Sequence, residues 1–222
     1  MIPVDLWRVS LDVPGNDSPE FLSPDELLRL GRIKHAASRQ AFLRARVATR
    51  RVIADYLACD PGHIAFEYNV NGKPSIADQV HALSFNVSHS GPHCLIAVTR
   101  HGPVGVDIEP VRPGRDFLAL ARRFYTATEN EVLSARSDAG LFYRMWTLKE
   151  AHIKARGLKL LDGLDRFECQ YENSGRLVCT DRSANPAEYW ASRQWDYESV
   201  YVAAVVVAGR DIELQEFKLD SA

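Results

Sequence analysis

Between Gln40 and Ala58 the apolar residues Phe42, Leu43, Val47, Ile53 and Leu57 recur at helical spacing with arginines between them, which predicts a long amphipathic helix. A second long helix is expected from Ala139 to Arg156, with Phe142, Tyr143 and Trp146 crowded into it and Gly157 placed to end it. Shorter helices are expected from Asp116 to Phe124 and from Thr128 to Ala135. Ser23-Pro24-Asp25-Glu26 is a helix start, with a capping hydroxyl, proline at the first position and two carboxylates against the helix dipole. Strand patterns run over Ile64–Tyr68, Leu83–Val87, Cys94–Thr99 and Val104–Ile108. Phe167–Tyr171 with Arg176–Thr180 reads as one hairpin, and Tyr189–Trp195 with Ser199–Val207 as another. Asp60-Pro61-Gly62 is expected to stop the first long helix, and Asn71-Gly72-Lys73-Pro74 to form a turn.

The two halves of the chain echo each other. Phe42-Leu43-Arg44-Ala45-Arg46 parallels Phe142-Tyr143-Arg144-Met145-Trp146, and each long helix is followed by a strand, a glycine turn and a strand. The expected fold is therefore α+β, two pseudo-duplicated halves, each a long helix packed on a small antiparallel sheet. The halves divide at residues 103 and 104, the C-terminal one carries the metal site, and a cofactor site lies between them.

Composition narrows the function. The chain has 222 residues, 46% of them hydrophobic and 25% charged, enough for a real core in an ordinary soluble protein. A net charge of -2 rules out a global electrostatic grip on nucleic acid. The longest apolar run, Val200 to Ala208, is too short to span a bilayer, and Met1 to Asp5 lacks the features of a signal peptide. A cytoplasmic location follows as the expectation. Cys59, Cys94, Cys169 and Cys179 show no zinc or redox spacing and read as buried apolar thiols.

Four segments carry candidate chemistry. In Gly105-Val106-Asp107-Ile108-Glu109 a strand would point Asp107 and Glu109 to one face, and two adjacent carboxylates need a cation or a proton unless they are simply solvated. Hard oxygen ligands suit magnesium. Glu150 and Lys154 share a helix face in Trp146–Lys154, a spacing that taken alone also fits a surface salt bridge. Phe85 to Gly91 ends a strand in small polar residues around His89, which suits an anion. Ser88 beside His89 is no hydrolase pair, because neighbours on a strand face opposite ways and no nucleophile elbow is present. Gly72-Lys73-Pro74 holds up one lysine on a rigid turn. No phosphate-binding loop of the nucleotide or dinucleotide type occurs in the sequence.

In order and spacing these segments resemble the Sfp-type (surfactin-type) 4′-phosphopantetheinyl transferases. That family's pattern has a Gly-Lys-Pro turn, Asn-x-Ser-His-Ser, Gly-x-Asp-x-Glu, and Trp-x-x-Lys-Glu-x-x-x-Lys followed by glycine. Here these are Gly72–Pro74, Asn86–Ser90, Gly105–Glu109, and Trp146–Lys154 with Gly157. The resemblance implies that Asp107, Glu109 and Glu150 bind Mg²⁺, with Mn²⁺ as the alternative ion. It implies that Lys154 reaches the pyrophosphate of coenzyme A, that Ser88 and His89 hold phosphate oxygens, and that Lys73 meets the adenosine end. Arg29, five residues after Pro24, stands where the family often contacts the 3′-phosphate. Glu26 stands where some members carry a lysine, and Ala41 replaces an often basic residue, for which Arg39, Arg44 or Arg46 would substitute.

The implied reaction is attack of a carrier-protein serine on the β-phosphate of coenzyme A, with 3′,5′-ADP leaving. Glu150, Lys154 and His89 are the expected catalytic groups, and the serine proton goes to Glu150 directly or through a metal-held water. The partner is an apo acyl or peptidyl carrier protein of fatty acid, polyketide or nonribosomal peptide biosynthesis, and the enzyme is expected to be a monomer with pseudo-twofold symmetry. No nucleic acid or membrane partner is expected. Val111–Arg115 and Arg122–Tyr125 are the candidate carrier-docking segments on charge grounds. A catalytically silent coenzyme A scaffold and a metal-dependent phosphohydrolase are the alternatives.

Overall fold

The first long amphipathic pattern forms α2, Ala36–Leu57, which starts four residues before the expected boundary. It ends at Ala58 in the left-handed conformation, ahead of Asp60-Pro61-Gly62. Those residues instead open a 3₁₀ turn, Pro61–His63, whose Gly62 N–H is capped by the Asp60 carboxylate. The computed structural model describes residues 1–13, 17–77, 82–159, 163–183 and 189–219. α1, Pro24–Arg32, begins with the full capping box of Ser23 and Glu26. α3 (Phe117–Phe124) and α4 (Ala127–Arg136) precede α5, Ala139–Arg156, which stops at Gly157 in the left-handed region.

The molecule is α+β. One sheet has the order β11-β1-β5-β4 and another β6-β10-β9. Their strands are β1 (Ile2–Ser10), β4 (Ser84–Ser90), β5 (His93–Thr99), β6 (Val104–Pro110), β9 (Trp190–Tyr197), β10 (Tyr201–Ala208) and β11 (Ile212–Lys218). Two hairpins, β2 (Phe66–Tyr68) with β3 (Pro74–Ile76) and β7 (Phe167–Tyr171) with β8 (Leu177–Asp181), complete the set. In each larger sheet the strand preceding the long helix, β1 or β6, pairs antiparallel with the last, β5 or β10, which pairs antiparallel with β4 or β9.

The expectation of purely antiparallel sheets needs correction. β11 leaves the second sheet and adds to the first in parallel with β1, so that sheet is mixed and the chain crosses back over the 103/104 division. β11 buries only Ile212 fully, half-buries Leu214 and Phe217, and exposes Glu213, Gln215, Glu216 and Lys218, the pattern of an edge strand with a short apolar trace. β1 contains Pro3, which argues against a strand, yet the ladder with β5 starts only at Asp5, so its missing N–H leaves no gap there.

Three apolar layers hold the fold. Val52 and Ile53 of α2 pack on Phe85, Ile96 and Val98 of the first sheet. Phe142 and Leu148 of α5 pack on Val202, Ala204 and Val206 of the second. The opposite faces meet, Val4, Leu6, Leu95 and Ala97 against Val106, Ile108, Ala203 and Val205. β5 and β10 are thus buried on both sides, which is why they read as continuous apolar runs. The edge strands β4 and β6 lie where the sheets meet, and the Asn86 Oδ1 accepts the Val106 N–H at 2.9 Å, replacing a ladder bond. Asn86→Ala would orphan that buried N–H, so we expect a loss of about 1–3 kcal/mol, measured by urea unfolding. Among the described residues no helix is long and apolar enough to cross a membrane.

Candidate active site

Strand alternation on β6 and helix spacing on α5 converge on one point. Asp107, Glu109 and Glu150 each bring a carboxylate oxygen to within 4.8 Å of the others. α5 reaches β6 this closely because position 105 is glycine: a Cβ there would lie 2.0 Å from the Ala151 carbonyl oxygen and 2.4 Å from the Ala155 nitrogen. Lys154 extends from the next turn of α5, with Nζ 2.5 Å from Asp107 Oδ1 and 3.7 Å from Glu150 Oε2. Lys154 Nζ also donates to Ser88 Oγ at 3.0 Å, and that hydroxyl donates to Asp107 Oδ1 at 2.9 Å. The Glu150–Lys154 pair is therefore part of a half-buried cluster rather than a solvated surface bridge.

Three carboxylates face one ammonium in this cluster, and their chemistry fits a divalent cation. Asp107 is 2% exposed, and its Oδ2 finds no hydrogen-bond partner among the described residues although its Oδ1 has two. A buried carboxylate oxygen without a partner is costly unless a cation or proton occupies the gap. Burial, and then the charge of Asp107, pushes Glu109 up to about 7. The same two causes push Glu150 up to about 8, with Lys154 pulling the other way. Burial alone would lower the Lys154 ammonium, but Asp107 and Glu150 outweigh it and hold it above its ordinary value. The donor set is all oxygen and suits Mg²⁺.

His89 does not join the carboxylates. Ser88 points into the cluster, so its neighbour projects from the opposite face of β4. Partial desolvation, the Lys154 ammonium, and Arg46 and Arg29 hold the His89 imidazole below its usual value. Arg29 and Arg46 flank the Phe42 ring at 5.2 and 5.5 Å, and both act electrostatically on His89 together with Lys154. Of the arginines proposed to replace a base at Ala41, Arg46 lies here. Arg44 turns away to Asp17 at 2.5 Å, and Arg39 is exposed. Glu26 explains its own departure from the pattern: it accepts from Ser23 N and from Arg50 Nε at 2.8 Å, tying α1 to α2.

Lys73 sits at the C-terminal end of α5, just past Lys154. Its Nζ donates to the carbonyls of Val104 and Ala155 at 3.1 and 2.9 Å, and burial lowers it to about 8. Asn69 and Asn71 of the same turn donate to the Gly157 carbonyl, so the β2–β3 turn caps the helix that carries Glu150. Trp146 packs on Phe124 and Phe142 and also serves Glu150 as a hydrogen-bond partner, which lowers that carboxyl slightly. His152 is no acid or base for this site: it is buried against Phe167 and burial pushes it down to about 3. Arg112, Arg115, Arg122 and Arg123 are exposed, and the first two face Glu109 electrostatically. Tyr125, expected on the docking surface, is instead buried with its hydroxyl donating to the Phe142 carbonyl, because its ring fills the core beneath α3. A cavity of about 630 Å³ lined by Arg8, Arg44, His93 and Tyr197 contains none of the cluster residues.

Sequence reasoning passed over Asn86 and Lys149. Asn86 could have been found from its spacing, two before Ser88 and so on the same strand face. Lys149 is the first lysine of the Trp146–Lys154 motif, yet it is fully buried and points away from the carboxylates, toward Glu129.

Residues 103–206 match the model of the 4′-phosphopantetheinyl transferase superfamily, and residues 17–101 match that of the 4′-phosphopantetheinyl transferase N-terminal region. The 4′-phosphopantetheinyl transferase HetI of Nostoc is 36% identical over 215 residues, covering 93% of this chain and 88% of that protein. The 4′-phosphopantetheinyl transferase Sfp of Bacillus subtilis is 33% identical over 160 residues, covering 71% and 70%. A solved holo-(acyl-carrier-protein) synthase from Bacillus anthracis, in complex with CoA (3′,5′-ADP), aligns with 49% of this chain and 96% of its own at a TM-score of 0.42 and 17% identity.

Proposed function

This chain belongs to the 4′-phosphopantetheinyl transferase superfamily, moving phosphopantetheine from coenzyme A to carrier proteins, and we propose that it does so at a magnesium centre held by Asp107, Glu109 and Glu150. The observation that carries the metal assignment is the buried, unpartnered Asp107 Oδ2 among three carboxylates with a single lysine. Bound there, magnesium supplies positive charge against the pyrophosphate oxygens of the substrate.

The chain's own groups do the rest. The carrier serine oxygen bonds to the β-phosphorus, the bond from that phosphorus to the bridging oxygen breaks, and 3′,5′-ADP departs. Lys154, kept charged by its carboxylate neighbours, offsets the charge that grows on the bridging oxygen. Glu150, which stands between the other two carboxylates and Lys154, takes the serine proton directly or through a water. Ser88 and His89, on opposite faces of β4, hold phosphate oxygens on either side of the strand. Arg29 and Arg46 beside His89 bind the 3′-phosphate, and Lys73 lies toward the adenosine.

Coenzyme A in this reading runs between two pseudo-duplicated halves, and the matching orders β1-β5-β4 and β6-β10-β9 support that symmetry. A monomer with internal twofold symmetry, working in the cytoplasm with its four free thiols, is the form we infer. An acidic acyl or peptidyl carrier protein docks against Arg112, Arg115, Arg122 and Arg123, with Phe124 partly exposed among them.

Incubation with coenzyme A, Mg²⁺ and an apo-carrier tests the function: the carrier gains one phosphopantetheine mass. Hydrolysed coenzyme A with an unmodified carrier would indicate a phosphohydrolase, and binding without product a silent scaffold. Asp107→Ala should raise the Mg²⁺ concentration for half-maximal activity ~100-fold or more, beyond the loss typical of an outer-shell partner. An unchanged Mg²⁺ titration would refute Asp107 as a ligand.

A further inference from the structure

Lys149 and Glu129 form an ion pair that water does not reach, with Nζ and Oε2 2.5 Å apart and both side chains 0% exposed. Each charge is satisfied in a fixed direction. Glu129 Oε2 also accepts from the Thr126 N–H at 2.9 Å, and its Oε1 accepts from the Cys169 N–H at 2.7 Å. Lys149 Nζ donates in addition to the Leu164 carbonyl at 2.9 Å and lies over the Tyr125 ring at 4.3 Å. One carboxylate thereby joins the start of α4, the strand β7 and the helix α5, while the ammonium adds the turn after α5.

Lys149 directly precedes Glu150. Successive residues project about 100° apart around a helix, so α5 presents Lys149 to α4 and β7 and Glu150 to β6. The contact at Gly105 sets how near α5 comes to β6, and the apolar packing of α5 on the second sheet opposes large rotations but is non-directional and does not fix the last few degrees. A rotation of about 20° moves a carboxylate some 6 Å from the axis by about 2 Å, whereas metal–ligand distances tolerate about 0.2 Å. A buried ion pair is a poor source of stability compared with apolar residues of the same volume, yet it has strict directional demands.

We infer that Glu129, through Lys149, is a positioning residue that fixes the rotation of α5 and so aims Glu150 at Asp107 and Glu109. This rests on the reading of Glu150 as a metal ligand. Neither Lys149 nor Glu129 touches substrate, so the first lysine of the Trp146–Lys154 motif acts through the helix and not on the phosphates.

The test is Mn²⁺ binding to the full-length protein without coenzyme A, followed by electron paramagnetic resonance, in the parent, in Glu150→Gln and in the uncharged double variant Glu129→Gln/Lys149→Met. Thermal melting by circular dichroism establishes folding. The double variant is expected to fold and to bind Mn²⁺ 10–100-fold more weakly, the range for lost outer-shell support, with kcat reduced and KM for the carrier unchanged. A folded double variant that binds Mn²⁺ within about twofold of the parent would overturn the positioning role. If the double variant fails to fold, Glu129→Asp keeps the charge and shortens its reach, and the same two outcomes decide. A parent that binds no Mn²⁺, or a Glu150→Gln variant that binds as the parent does, would instead bring down the ligand reading and the proposal with it.

Discussion

Glu150→Gln is expected to lower kcat about 10³-fold at saturating coenzyme A, the scale of removing one preorganised electrostatic partner. Glutamine keeps the shape of a side chain that is 11% exposed and removes only its charge and its capacity to take a proton. Activity within tenfold of the parent would remove Glu150 from the mechanism. Stability should move the opposite way. Glu150 at about 8 and Glu109 at about 7 both lie above the ordinary carboxyl value of 4.5. Well below that ordinary value both forms of the chain hold these protons, and the cluster exacts no penalty. As pH rises from there to about 8, the unfolded chain ionises freely while the folded carboxyls resist, so the metal-free protein loses stability across this window. Glutamine has no proton to lose. Metal-free Glu150→Gln should therefore melt above the parent at the alkaline end of the window and close to it at the acid end, each kcal/mol being worth roughly 2–4 °C in a chain of this size. Adding Mg²⁺ should raise the parent's Tm and leave the variant's nearly unchanged, reversing their order. A variant that melts below the parent at both pH values without metal would mean that Glu150 serves the fold and not a cation.

The division between what the sequence disclosed and what it withheld has physical causes. The long helices and the buried strands β5 and β10 were legible because burial on one or both faces leaves a periodic or continuous apolar trace. β11 leaves only a short one, Ile212 and Leu214, since its place at the edge of the first sheet is fixed by backbone bonds to β1 and most of its other side chains are exposed. Strand spacing put Asp107 and Glu109 on one face and helix spacing paired Glu150 with Lys154, but only the resemblance joined the three carboxylates into one set, because no local pattern tells which face of a helix meets which strand. Which lysine of Trp146–Lys154 attends the carboxylates was fixed by helix rotation, which spacing constrains only relative to Glu150: Lys154 shares its face and Lys149 does not. Glu26 and Lys73 show the limit most directly. Each is a charged residue in a motif, and in each the charge is taken up by neighbours distant in sequence, Arg50 for one and the carbonyls of Val104 and Ala155 for the other.

Gly105→Ala is expected to cost about 3 kcal/mol or more, the upper range for forcing atoms into a filled core. The backbone at Gly105 is not left-handed, so an alanine is conformationally acceptable and the whole effect comes from space. The new methyl would fall 2.0 Å from the Ala151 oxygen, 2.4 Å from the Ala155 nitrogen and 3.0 Å from the Ala155 Cα, all of them backbone atoms that no rotamer change can move aside. Relief requires α5 to retreat from β6 by about 1 Å, a displacement that costs on the order of 10²-fold in rate when it falls on catalytic groups. Glu150 and Lys154 are the residues immediately before Ala151 and Ala155, so they retreat with the clash, whereas Asp107 and Glu109 stay on β6. Urea unfolding measures the stability loss, and kcat on the folded fraction measures the displacement. A second substitution separates the two effects: Gly175→Ala, at a hairpin turn where a Cβ meets nothing within 4 Å, changes a glycine of φ +78° far from α5. That variant should lose stability through backbone strain alone and keep its kcat. Should Gly105→Ala match it in retaining kcat, the close approach of α5 to β6 would have no part in setting the carboxylate geometry.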